Sequence, residues 1–277
     1  MQKLRVLGLV LTMCAAASTL FGAPLVGLRH LETATASGVV DGDTLRLADG
    51  REVRMVGIQA PKLPLGRTGF EAWPKAAEAK NYLQSMVNEN PLSLFGGGAV
   101  KDRHGRILAH VQTADSVWLQ QAMLRAGLAR VYSFADNRSA LDPLYAAEKA
   151  ARGEGLGIWG DAYYAIQQAE GLTIKKLAAV SKFILVEGTV LRVTHRGRAT
   201  YIDFGEDWRQ DFSIRILSKN RRNFGENEES GKVAIDRLVG MPLRVRGWAY
   251  RKNGVMIDID HPEAIEMLGM LEPTSKE

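Results

Sequence analysis

Cysteine is almost missing from this chain. Cys14 is the single one among 277 residues, so no intrachain disulfide and no cysteine-built metal site can form. Histidine is scarce, with five in all, and His195 has neither a cysteine nor a second histidine beside it to suggest zinc. After the first two dozen residues no stretch stays apolar long enough to cross a bilayer. Neither sign of charge dominates. Lysine and arginine total 36 against 31 acids, a net +5, which is a mild bias toward anionic partners and excludes little.

The hydrophobic fraction, 46%, is enough for two modest domains. Residues 1–23 have the order of an export signal: Lys3 and Arg5, then an apolar run from Leu7 to Ala17, then small residues up to Ala23. The expected location is therefore the periplasm or the medium. The alternative is a membrane anchor, if this segment is retained or lipidated at Cys14, although Met13 makes Leu11-Thr12-Met13-Cys14 a poor lipoprotein box.

The chain is organised around Val39 to Lys62. Val40, Thr44, Leu45 and Leu47 suit a strand, Ala48-Asp49-Gly50 supplies the reversal, and Val53, Met55, Val56 and Ile58 return until Pro61 ends the run. Asp41-Gly42-Asp43 sets two carboxylates on either side of a glycine. Their repulsion needs a cation, either Arg54 from the return strand or a hard divalent metal.

These residues resemble the thermonuclease family, the calcium-dependent staphylococcal-nuclease-like phosphodiesterases. The likeness resumes at Lys101-Asp102-Arg103-His104-Gly105-Arg106, continues through Leu124-Arg125-Ala126-Gly127-Leu128-Ala129-Arg130-Val131, and closes at Gly155-Leu156-Gly157-Ile158-Trp159. It implies an OB-type barrel over residues 37–160, a phosphate clamp made by Arg54 and Arg106, and a calcium site holding Asp43. Asp41, Asp43 and Gln59 are the candidate metal ligands; Lys62, Arg103, His104 and Tyr132 are the candidate ligand-binding residues.

Two positions depart from the family pattern. Gln59 stands where the family has a calcium-binding aspartate, and Lys62 stands where it has the glutamate that organises or deprotonates water. A glutamine offers calcium a neutral carbonyl oxygen only. A lysine ammonium repels a metal, attracts Asp43, and has no lone pair with which to accept a proton from water. Hydrolysis is therefore expected to be lost or strongly weakened, with anion binding retained. No cofactor is expected; if the protein is instead a working calcium-dependent endonuclease on DNA or RNA, the cofactor is Ca2+.

Further along, a helix is expected over Glu71 to Met86 with Pro74 in its first turn, strands over Leu92 to Val100 and Ile107 to Val111, and helices over Trp118 to Ala126 and Leu141 to Arg152. A linker helix is expected over 161–181. Alternating strands then suggest a second, smaller OB-like barrel over 182–268, ending in a helical turn from His261. The fold class expected is thus mainly β with packed helices, two barrels in series. In the strand Leu243 to Tyr250, Arg244, Arg246 and Trp248 share alternate positions. They read either as a nucleic-acid face or as structural, with the arginines paired to Asp258 or Asp260. The partners expected are single-stranded nucleic acid or another polyanion, and a protein partner through the C-terminal module.

Overall fold

The structure is a computed structural model, and it describes residues 25, 27–87, 90–177 and 182–269. The export-signal segment, residues 1–23, lies outside the described residues.

The N-terminal half opens with strands β1 (Arg29–Ala34), β2 (Ala36–Asp41), β3 (Thr44–Leu47), β4 (Glu52–Met55) and β5 (Gly57–Gln59). Helix α1 (Ala76–Met86), strands β6 (Leu92–Gly96) and β7 (Ile107–Gln112), helix α2 (Leu119–Arg125), strand β8 (Arg130–Tyr132) and helix α3 (Leu141–Gly153) complete it. Six strands form one sheet in the order β1-β6-β7-β4-β3-β2, and β5 pairs with β8 alone. The expected hairpin is β3–β4, with Leu45 opposite Val53 and Thr44 opposite Arg54.

The sheet is open, which overturns the barrel expectation. β1 and β2 are its two edges and Thr35 alone separates them. One residue leaves no turn in which β1 could fold back to pair with β2 and close the ring.

Two close approaches tie the sequence motifs to this half. A Cβ on Gly42 would lie 2.6 Å from the Ala60 Cβ and 2.8 Å from the Ala79 Cβ of α1. Only glycine lets the two aspartates sit this close under the helix. At the other end, Ile158 N–H donates to the Gly127 carbonyl at 2.8 Å, and a Cβ on Gly127 would lie 2.2 Å from the Leu156 carbonyl oxygen. The two glycine-bearing segments therefore meet backbone to backbone.

Helix α1 is shorter than expected. Pro74 precedes it, Lys75 at its N-cap is left-handed (φ 66°), and Ala76, Ala79 and Leu83 turn inward. Glu71 to Pro74 thus form a loop that displays Trp73. Residues 161–177 do not make one connecting helix; they hold a 3-10 turn (Ala162–Tyr164), strand β9 (Gln167–Gln168) and short helix α4 (Ile174–Leu177).

The C-terminal half contains β10 (Phe183–Thr189), β11 (Arg192–Arg196), β12 (Ala199–Asp203), β13 (Ser213–Leu217), α5 (Glu228–Asp236), β14 (Pro242–Arg251), β15 (Val255–Asp258) and β16 (Ile265–Met267). Its sheet runs β11-β12-β13-β15-β14-β10-β9, with β16 against β14. It too is open: β11 pairs only with β12, and the other edge is the two-residue β9. The whole is a mixed α/β structure on large open sheets. The final helical turn is only Pro262–Ala264, and the chain then becomes β16.

Each half has its own apolar cluster, one around Leu45, Val53, Leu94 and Leu119, the other around Val186, Ile214, Val245 and Ile257. Charge joins them. Arg246 of β14 donates to Glu148 of α3 at 2.8 and 3.0 Å and to the Val131 carbonyl at 3.0 Å. It also pairs with Glu266, which Arg244 and Arg152 approach at 3.0 and 3.6 Å. Glu187 completes the set by pairing with Arg244. Three cations thus meet three acids. The arginines are structural, as one sequence reading held, but their partners are not Asp258 or Asp260. Asp258 is taken by Arg215, and Asp260 by His261. His261 in turn shares a hydrogen with the Ser133 hydroxyl at 2.6 Å, another bond between the halves. No helix among the described residues is long and apolar enough to cross a membrane.

Candidate functional site

Asp41 ends β2, Asp43 sits in the turn to β3, Arg54 lies on β4 and Lys62 follows β5. The sheet and the loop after β5 therefore deliver two acids and two bases to one point. The Lys62 Nζ stands 2.6 and 2.7 Å from the two Asp43 carboxylate oxygens and 3.3 Å from Asp41. Its three hydrogens are matched by three carboxylate contacts, so it has nothing left with which to act on water. Asp43, fully buried, also accepts from Ala60 N–H at 2.8 Å and lies 3.2 Å from the Arg54 Nη1. Burial alone would raise its pKa, but Arg54 and then Lys62 overcome that and hold it well below the usual carboxylate range. Asp41 goes the other way: burial, then the Asp43 charge, raise its pKa despite Lys62.

Arg54 is committed to the backbone. Nη1 donates to the Met55 and Asp43 carbonyls at 2.8 and 3.2 Å, and Nη2 to the Ile58 carbonyl at 2.8 Å. Gln59 is committed elsewhere as well. Its side-chain oxygen accepts from Arg130 Nη2 at 3.2 Å, while Arg130 Nη1 donates to the Phe183 carbonyl at 2.7 Å. Arg130 is buried, and burial lowers its pKa to about 10. Gln59 thus helps carry a cation that reaches into the C-terminal half. Sequence reading missed Arg130; a cation inside the apolar run Gly127 to Val131 was the available signal.

The donor set does not fit calcium. A calcium site uses six to eight oxygens in a cage with acidic ligands. Here the Asp41 and Asp43 carboxylates already share an ammonium at ion-pair distance, and the Gln59 oxygen faces an arginine. Among the described residues no group of three or more histidine, cysteine or acidic side chains is placed to hold a metal.

Around this centre is a cleft of about 1090 Å³. Asp41, Arg54, Gln59, Lys62, Arg103, Arg106 and Tyr132 all line it, so sequence-selected residues far apart in the chain do converge. Arg106 is half-buried and bonded through Nε to Asp102 at 2.7 Å. Against the effect of burial, that contact and the N–H groups of His104 and Arg106 hold Asp102 below its ordinary pKa. His104 is on the same turn and takes a hydrogen bond from Arg103 at 3.1 Å, but it does not line the cleft. The sequence reading did not place Phe70, Trp73 and Lys182 here. Trp73 carried no signal of this, because it fell inside the helix expected over Glu71 to Met86, and it is the later start of α1 that leaves it on a loop. Trp248 of β14 also lines the cleft, so both halves contribute to its lining.

Comparison with known proteins finds relatives for the N-terminal half. The family model for staphylococcal nuclease homologues matches residues 52–161. An uncharacterized endonuclease of Escherichia coli is 31% identical over 127 residues, 45% of this chain and 74% of that protein. The thermonuclease of Staphylococcus intermedius is 29% identical over 124 residues, covering 44% of this chain and 72% of that protein. That of Staphylococcus hyicus is 27% identical over 126 residues, covering 44% and 73%.

Proposed function

The chain belongs to the staphylococcal nuclease homologue family, and on that premise we propose that it binds polyanions without efficient metal-dependent hydrolysis. The carrying observation is Lys62, whose ammonium sits 2.6–2.7 Å from both Asp43 oxygens. It supplies the positive charge that the paired carboxylates require. Two acids, Asp41 and Asp43, face two bases, Arg54 and Lys62, so the centre is neutral without an added ion. A divalent cation would have to displace Lys62 and then meet Arg54 at the same carboxylate.

The chemistry of hydrolysis is also short of a base. A water attacking phosphorus needs a proton acceptor and charge neutralisation at the phosphoryl oxygens. Arg106 and Arg103 at the cleft supply the second of these. Lys62, its hydrogens all directed at carboxylates, does not supply the first. What remains is an electropositive cleft suited to phosphate or another anion. Export to the periplasm or the medium belongs to the proposal and rests on the charged, apolar and small-residue order of residues 1–23.

The test is a fluorogenic DNA and RNA cleavage assay with and without calcium, paired with anion binding by anisotropy. Wild type is expected to bind oligonucleotides and to leave them intact in both conditions. Arg103→Ala and Arg106→Ala are expected to weaken binding. Arg54→Ala is a poorer probe, because that guanidinium holds three backbone carbonyls. Calcium-dependent cleavage by wild type, abolished by Asp43→Ala, would overturn the proposal and establish a working endonuclease with an unusual base.

A further inference from the structure

The cleft has a second wall that the anion-binding reading does not use. Trp73 stands between two other aromatic rings: its centroid lies 6.1 Å from that of Trp248 and 6.1 Å from that of Tyr163, both tilted by more than 50°. Trp248 is 42% exposed. It is also held still. Phe183, fully buried, packs against it edge-on at 5.7 Å, and its indole N–H donates to the Tyr132 hydroxyl at 3.1 Å. A rigid, exposed indole beside Lys182 and the cations Lys62, Arg103 and Arg106 lines one continuous cavity.

We propose that Trp248 and Trp73 form a base-stacking wall, so that the ligand of the cleft is single-stranded nucleic acid and the C-terminal half supplies part of its binding site. The inference rests on the anion-binding reading above and specifies its ligand. Cations alone would suit any polyanion. Cations and aromatic rings lining one cavity suit a ligand that alternates phosphates with exposed π faces. Bases in a duplex are stacked on one another and have no face to offer the indole. Polyphosphate and sulfated sugars have no such face at all.

The geometry also explains why the two halves are locked together. The interface from Arg246 to Glu148 fixes β14, the strand that carries Trp248, against the half that carries Lys62 and Arg106. A stacking group is useful only at a fixed distance from the phosphate contacts.

The experiment is fluorescence anisotropy of the full chain with labelled short oligothymidylate, an abasic oligomer of equal length, and a duplex, with inorganic polyphosphate as competitor. The expected result is tighter binding of oligothymidylate than of the abasic oligomer or the duplex, with quenching of tryptophan emission. Trp248→Ala is expected to weaken oligothymidylate binding about tenfold while leaving the abasic affinity unchanged, and Trp248→Phe to retain most of it. Trp73→Ala, which removes the same wall from the other half, provides the same readout if Trp248→Ala fails to fold. Equal affinity for abasic and base-bearing oligomers would overturn the stacking wall while leaving the anion-binding reading intact. So would an equal loss for both oligomers in Trp248→Ala. Absence of binding to every anion, polyphosphate included, would instead overturn the anion-binding reading itself.

Discussion

Two ion clusters of this molecule are built alike and placed differently. Arg152, Arg244 and Arg246 meet Glu148, Glu187 and Glu266 between the halves, while Arg54 and Lys62 meet Asp41 and Asp43 at the cleft. Both balance their charges. Each has a sealed centre and a part-exposed rim: the Arg246 and Glu148 side chains are 2% and 0% exposed, with Glu187 and Glu266 half-buried beside them, and Asp43 is 0% exposed with Lys62 at 19%. What separates them is where the rim opens. Asp41, Arg54 and Lys62 line the cleft, and no member of the first cluster does, so only the second is placed to meet a ligand there. The difference lies in placement and not in residue chemistry.

The interface cluster should show the larger effect when broken. Glu148→Gln removes one of the two acids that hold Arg246 and leaves Glu266 as its charged partner, so a loss near the lower end of the cost of breaking a buried ion pair, about 3 kcal/mol, is expected. Urea unfolding should show that loss, and a change within error would mean that the halves are held by packing alone.

The cleft cluster should respond less, and conditionally. Lys62→Ala leaves Asp43 with Arg54 as its remaining charged partner, so a loss of about 1–3 kcal/mol is expected without metal. Calcium should then restore stability in the variant, because an ion that binds only the folded state stabilises it by mass action. It should do nothing to the melting of wild type. Equal calcium shifts in both proteins would show that Lys62 does not block the site.

Acid sharpens the comparison further. Asp43 and Glu266 each have a pKa held below the ordinary value, Asp43 by Arg54 and Lys62, and Glu266 by Arg246, in both cases against burial. Their stabilisation is present at neutral pH and lost as pH falls through those lowered values. Asp41, with its pKa raised by burial, works in the opposite sense: between the ordinary carboxylate range and its own value it favours the folded state as pH falls. Stability should therefore hold through mild acid and drop below the carboxylate range. Lys62→Ala should lose part of the Asp43 contribution to that drop, as urea midpoints at a series of pH values would show. The smallest effect belongs to the exposed pair Lys75–Glu78. Lys75→Ala should leave the urea midpoint unchanged within error, since solvent-exposed pairs contribute little.

Much of this was legible in the sequence, for local reasons. Asp-Gly-Asp, the Asp49-Gly50 turn and the return through Arg54 are set by spacing within two dozen residues, and the reversal falls between β3 and β4 as expected. That Lys62 would seek Asp43 followed from charge alone. Closure of the sheets was not legible, because alternation says which face of a strand is buried and nothing about which edge it pairs with. Nor were the partners of Arg244 and Arg246. Asp258 and Asp260 were close in sequence, but the acids actually used include Glu148, nearly a hundred residues away and placed by the docking of two halves. For the same reason Trp248 gave no sign that it would face Trp73. The helix expected from Glu71 failed locally: Pro74 and the left-handed Lys75 delay its start and leave Trp73 on a loop.

The central claim is that Lys62 stands in for a metal ion. Calcium titration calorimetry on wild type tests it most directly, with Lys62→Glu combined with Gln59→Asp as the companion. The account predicts no saturable calcium heat for wild type and a saturable binding curve for the double variant, accompanied by calcium-dependent cleavage of DNA. Stoichiometric calcium binding by wild type would contradict it, because the ammonium and the metal would then have to share Asp43.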